Sequence, residues 1–316
     1  CRAICEALGD RAGVAGACGN LGNCYFSTGD YARALEMHEQ HRAIGKALGN
    51  RAAVAKACGN LGNCHGRMGA YGRACELHQK DRTICEALGD RAGVAAACGN
   101  LGQWCLNSGD YAAAISYFKE EYSMAEQMQV KDQQAGAALG IGIALRLDAR
   151  PRMPGRAAGT VELPAALAAA PACGGDAARE AEKWLQTSLE LGHTIAIARL
   201  HLAYLASDLG DEQTALAHLQ GYLSCCVEQG PNWCNACGQK RGAEAPMLTC
   251  AGCRVARFCS VEHQKMASRD VSRGGSLLYG RHKHVCSVLG MWRQQVVKDG
   301  APPDALRAEL LAFLRQ

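Results

Sequence analysis

"ACGNLGNCYFSTGDYARALEMHEQHRAIGKALGN", residues 17–50, is followed by "ACGNLGNCHGRMGAYGRACELHQKDRTICEALGD" at 57–90 and by "ACGNLGQWCLNSGDYAAAISYFKEEYSMAEQM" at 97–128. A forty-residue self-similarity decides the architecture, because each unit must be one supersecondary element that buries its apolar side against the next. The unit reads as two helices. Val14, Cys18, Leu21 and Tyr25 fall at helical spacing in the first, and the second carries Ala34, Leu35, His38 and Ile44. Between them Gly29 is placed to take the left-handed conformation that ends a helix, and Asp30 to cap the next. Gly9 with Asp10, Gly49 with Asn50 and Gly89 with Asp90 repeat this stop-and-start chemistry between units.

Leu21-Gly22 followed by Gly29-Asp30-Tyr31 and then Ala34 resembles the tetratricopeptide pattern, and the forty-residue period with "NLGN" is similar to the subtype of kinesin light chains and G-protein-signalling modulators. The resemblance is strong over residues 1–130. It resumes more weakly at 178–228, where "EAEKWLQTSLELG" and "AIARLHLAYLASDLGDEQTALAHLQGYL" keep the helix-pair logic. Between them "ARPRMPGRAAGTVELPAALAAAPACGGDA" (149–177) is expected to be a disordered insertion within one helix pair, since Pro151, Pro154, Pro164 and Pro171 preclude a long helix.

Stacked helix pairs form a solenoid whose inner face is built from first helices. Asn20 and Asn23 lie three residues apart beside the apolar stripe, and Asn60 with Asn63 and Asn100 with Gln103 repeat them. An amide offers both donor and acceptor, so such a ladder suits the backbone of an extended peptide. In the resembling subtype, groove asparagines hold peptide backbones. The alternative is that some of these amides only tie neighbouring helices together.

The composition agrees with packed helices. Apolar residues make up 48% of the chain but aromatic residues only 5%, and there are 37 glycines, which suits closely approaching helices better than a sheet sandwich. Nineteen cysteines suggest disulfides at first sight, but Cys18, Cys58 and Cys98 recur with the period, Cys24 and Cys64 likewise, and Cys5 and Cys85 two periods apart. A cysteine fixed at one repeat position reads as a small buried apolar side chain in a reducing compartment. No window approaches a transmembrane length of apolar residues. The chain starts at Cys1 with what looks like the second half of a repeat, so a truncated first unit is expected.

The last third carries a different signal. Two Cys-x2-Cys pairs, Cys234/Cys237 and Cys250/Cys253, precede Cys259, His263, His282 and Cys286. A Cys-x2-Cys turn brings two sulfurs to one ion, and eight candidate ligands make two closed tetrahedral zinc sites with no position left for water or substrate. His282 and Cys286 lie one helical turn apart, whereas His284 and Cys286 project apart. His38, His78, His201 and His218 are scattered through repeat helices and are expected to pack or to lie on the surface, not to bind metal.

The ligand order, with "RFCSVEHQ" and "HKHVC", resembles the MYND zinc finger over residues 234–286. The family's interleaved pairing implies Cys234, Cys237, Cys259 and His263 on one zinc and Cys250, Cys253, His282 and Cys286 on the other. Two features depart from the family: His263 stands where a cysteine is usual, and the 264–281 spacer is long and lacks the usual tryptophan. A histidine four residues after Cys259 still shares its helical face, and imidazole is an ordinary zinc ligand.

The expected fold is mainly α, a tetratricopeptide helical solenoid followed by a small zinc-bound MYND-type finger. The expected organisation is repeats at 1–148, the insertion at 149–177, further degenerate helices at 178–230, the finger at 231–290, and a tail with a short helix at 291–316. Both resemblances imply a protein–protein interaction adaptor with peptide partners, two zinc ions and no small-molecule substrate or membrane partner, in the cytoplasm or nucleus. An enzyme reading rests on lysine methyltransferases that combine a MYND finger with similar helices. No SET cofactor or catalytic motif occurs here, so the alternative is a fragment of such an enzyme. From Glu228 onward thirteen Lys/Arg face seven Asp/Glu, but these are interspersed and lack aromatic interleaving, so a solvated surface is expected, not a nucleic-acid site.

Overall fold

The structure, a computed structural model, describes residues 2–149, 175–192, 195–228, 248–249, 257–258 and 310–311. It divides into two compact units, Cys1–Val130 and Lys131–Gln316. The first contains α1 (Arg2–Ala7), α2 (Arg11–Ser27), α3 (Tyr31–Ala47), α4 (Arg51–Arg67), α5 (Tyr71–Leu88), α6 (Arg91–Ser108) and α7 (Tyr111–Gln127). Each helix packs against the next, and α2, α4 and α6 also touch in succession, as the first helices of a solenoid must.

Punctuation by glycine and a capping side chain sets the helix lengths. Gly9, Gly29, Gly49, Gly69, Gly89 and Gly109 all carry positive φ, between 65° and 85°, so one left-handed residue closes a helix every twenty residues. At the next such position Gln129 takes φ 58° without glycine's freedom. The following helix is then capped by a carboxylate or amide. Asp10 accepts from Gly13 N–H at 2.8 Å, Asp30 from Arg33 at 3.2 Å, Asn50 from Ala53 at 3.0 Å, Asp90 from Gly93 at 2.9 Å and Asp110 from Ala113 at 3.1 Å.

The exception is α5, whose N-cap is Ala70, with no side-chain hydrogen bond. Ala70→Asp is therefore expected to stabilise the first unit by about 1 kcal/mol, read as a raised urea midpoint at constant slope, whereas Ala70→Gly should change it by only about a few tenths. An unmoved midpoint for the aspartate would show that α5 is not limited by its cap.

The helices approach closely because glycines on the first helix of each pair face large side chains on the second. A Cβ added to Gly22 would lie 2.4 Å from the His38 ring, one on Gly62 2.6 Å from His78, and one on Gly102 2.8 Å from Phe118. Cys18, Cys58 and Cys98 are buried, as expected for their recurring position. Other recurring positions differ at the first pair. Leu61 and Leu101 are fully buried but Leu21 is 38% exposed, and Cys64 is buried while Cys24 is exposed. The reason is positional: this face of a first helix is covered by the preceding pair (Trp104 on α6 reaches Gly66 on α4), and among the described residues no first helix precedes α2.

The second unit contains α8 (Lys131–Asp148), α9 (Gly175–Leu191), α10 (Ile195–Asp208), α11 (Glu212–Glu228) and the short strands β1 (Leu248–Thr249) and β2 (Arg257–Phe258). Although residues 150–174 separate them and lie outside the described residues, α8 and α9 form a helix pair. Gly142 receives Leu185, and the buried Ser188 hydroxyl donates to the Ala135 carbonyl at 3.0 Å. The α9 helix begins at Gly175, inside the segment expected to be an insertion, with Asp176 in its first turn facing the positive end of the helix dipole. Arg146 on α8 joins this pair to α10 through Asp208 at 3.1 Å and the Tyr204 ring at 5.2 Å. No described helix is long and apolar enough to cross a membrane.

Candidate peptide groove and zinc centre

The amide positions of the first unit all lie on α2, α4 and α6. Asn20 and Asn23 are exposed, and Asn60, Asn63, Asn100 and Gln103 are half-buried. Their hydrogen bonds divide them. Asn60 Nδ2 donates to Asn23 Oδ1 across the two repeats at 3.3 Å and lies 3.5 Å from His38 Nδ1. Burial, with a smaller contribution from His41, lowers His38 to about 4, so its ring is neutral near pH 7 and Nδ1 can accept from Asn60. This rung is therefore a tie between helices. Gln103 Nε2 donates to Asn107 on its own helix at 3.0 Å. Asn20, Asn63 and Asn100 make no side-chain hydrogen bond to a described residue.

Sequence reading did not foresee the His38–Asn60 contact, which spans twenty-two residues and two helices. The signal available was the recurrence of His38 and His78 one period apart. Both are buried, as is His201. His218 is half-buried, with its pKa lowered by burial.

The eight expected zinc ligands, Cys234, Cys237, Cys250, Cys253, Cys259, His263, His282 and Cys286, lie outside the described residues. Between them β1 and β2 pair antiparallel, Leu248 opposite Phe258 and Thr249 opposite Arg257. Six thiols and two imidazoles are a donor set that suits zinc.

Comparison with known proteins identifies both parts. Tetratricopeptide-repeat families match residues 17–52 and 50–127, and the MYND finger family matches residues 234–286. No curated protein sequence matches the chain. Among solved structures, BtubC (BKLC) from P. vanneervenii aligns with a TM-score of 0.55 at 13% identity, covering 79% of this chain and 93% of that one, a likeness of fold alone. The chain is a tetratricopeptide-repeat protein with a C-terminal MYND-type zinc finger.

Proposed function

We propose that the protein is an interaction adaptor that holds extended peptide segments of protein partners along α2, α4 and α6 and offers a second docking surface on a two-zinc finger. The observation that carries the groove reading is the row of amides on successive first helices, of which Asn20, Asn63 and Asn100 are not used within the described fold. Asn23 and Gln103 contribute remaining donor and acceptor capacity, and Asn60 holds Asn23 in place. A peptide gripped mainly by main-chain hydrogen bonds needs this kind of two-way partner at regular spacing.

In the finger, Cys234, Cys237, Cys259 and His263 hold one zinc, and Cys250, Cys253, His282 and Cys286 the other. Strand pairing supports this division. The last residues of β1 and β2, Thr249 and Phe258, lie at opposite ends of the pair, and Cys250 and Cys259 are the next residues in sequence. With every coordination position filled by protein, the ions stabilise the fold and have no position open for substrate. The recurring buried thiols suit a reducing compartment, the cytoplasm or nucleus.

Selection of peptides from a random display library on the full, zinc-loaded chain tests the reading. A selected peptide should slow hydrogen exchange in α2, α4 and α6 more than in α3, α5 and α7. Protection confined to the second helices would contradict the groove.

A further inference from the structure

A crevice of about 380 Å³ opens between α3 and α5 over a floor contributed by α4. Its walls carry Arg42 and Lys46 on one side and Lys80 and Gln79 on the other, with the buried Cys58 thiol on the floor. The forty-residue repeat supplies an internal comparison. In the next interval Arg82 occupies the position of Arg42, but Glu86 and Glu120 stand where Lys46 and Lys80 do. There the guanidinium grips both oxygens of Glu120 at 2.6 and 3.1 Å and Glu86 at 2.8 Å, so the interval is closed by its own ion pairs. One period upstream the same two positions are Glu6 and Gln40.

Only the α3–α5 interval places cations at both. Arg42 pairs with Glu39 at 2.6 Å, whereas Lys46 and Lys80, both exposed, make no ion pair with a described residue. Asp81, also beside Cys58, accepts from the Cys85 thiol at 3.5 Å and does not neutralise them. The neighbouring interval fills these positions with two carboxylates that pair with Arg82, whereas here the two lysines leave two positive charges without an ionic partner among the described residues.

We propose that this crevice is a docking site for a phosphoryl group carried on a protein partner, as phosphoserine or phosphothreonine. A phosphoryl group brings roughly −1.5 to −2 charge at pH 7 and three acceptor oxygens in one substituent, enough to engage Lys46, Lys80 and the Arg42 fork together. Val54 on the floor and Ile84 on the α5 wall are apolar and would take the stem of a side chain, a contact that free phosphate cannot use. Val54 and Cys58 lie on the face of α4 opposite Asn60 and Asn63, at 100° per residue, so the site is separate from the amide groove and does not depend on it.

Titration of the full chain with N-acetyl-phosphothreonine methylamide, the corresponding glutamate amide and inorganic phosphate tests the proposal by backbone chemical shifts. The phosphothreonine amide should saturate residues around Lys46 and Lys80, at least tenfold tighter than the glutamate amide and tighter than phosphate. Lys46→Glu with Lys80→Glu, which installs the acids of the next interval, should weaken it at least tenfold without lowering the melting temperature. Lys46→Met with Lys80→Met should do the same if the acidic pair fails to fold. Absence of saturable binding, or binding indifferent to these changes, would overturn the proposal. Phosphate binding as tightly as the amide would overturn its protein-borne form.

Discussion

A strong chelator added to the full chain is expected to unfold the 231–290 region, and metal analysis beforehand should find two zinc ions per chain. Structural zinc binding contributes about 10–16 kcal/mol near pH 7, which in a small domain is the folding energy itself. The helices of the first unit, closed by their own caps and glycine contacts, should keep their circular dichroism. His263→Cys is expected to retain both ions, whereas His263→Ala should weaken one site and leave the other. Folded protein with at most one zinc would contradict the two-site assignment, and an alanine variant with both affinities unchanged would remove His263 from the ligand set.

The second large effect is in pH. Burial holds His38 and His78 at about 4, well below the ordinary value of 6.5. The unfolded chain therefore binds these protons first. The stabilisation is complete above about pH 6.5 and is lost as pH falls toward 4, on the order of 3 kcal/mol for each ring. His41, lowered by burial and by Lys56, adds in the same direction. Asp81 opposes them: burial pushes its carboxyl up to about 6, so its contribution is complete below the ordinary 3.8 and is lost as pH rises through 6. Between pH 4 and 6 the carboxyl cancels part of the histidine effect, and above 6 the histidines act alone.

The cleanest variant is His78→Phe. His78 has both ring nitrogens buried without a hydrogen-bond partner among the described residues, and Phe118 already fills the equivalent space against Gly102. The change should stabilise the protein at pH 7 by about 1–3 kcal/mol, because it removes unsatisfied polar atoms, and should flatten the acid dependence by about one histidine's share. Urea unfolding from pH 4.5 to 7.5 reads both. A less stable variant with the original pH slope would show that the imidazole has partners in solution.

These histidines also mark where sequence reading stopped. Glycine followed by aspartate or asparagine announces a helix boundary locally, so Gly29-Asp30 and Gly49-Asn50 were legible, and Cys18, Cys58 and Cys98 declared their burial by recurrence. Burial that depends on a neighbouring repeat was not legible: Leu21 and Leu61 are identical in local context but differ in exposure because, among the described residues, only Leu61 has a first helix upstream. Nor was the glycine–histidine fit, since Gly22 and His38 meet across a turn whose packing no periodicity encodes. The α8–α9 pair was half hidden for a related reason. "KDQQAGAALGIGIALRLD" lacks the repeat motif, and its partner helix begins only after the proline-rich interruption. In the finger, spacing alone was enough to nominate ligands, because paired thiols are a chemical signature that requires no folded context.

The groove is tested most directly by the affinity of a library-selected peptide for the full chain carrying Asn63→Ala and Asn100→Ala, measured beside its melting temperature. Each amide contributes about 0.5–1.5 kcal/mol, so the double variant should lose roughly tenfold in affinity while melting as the wild type does. Unchanged affinity with a lowered melting temperature would contradict the account and leave both asparagines as struts, like the Asn23–Asn60 rung.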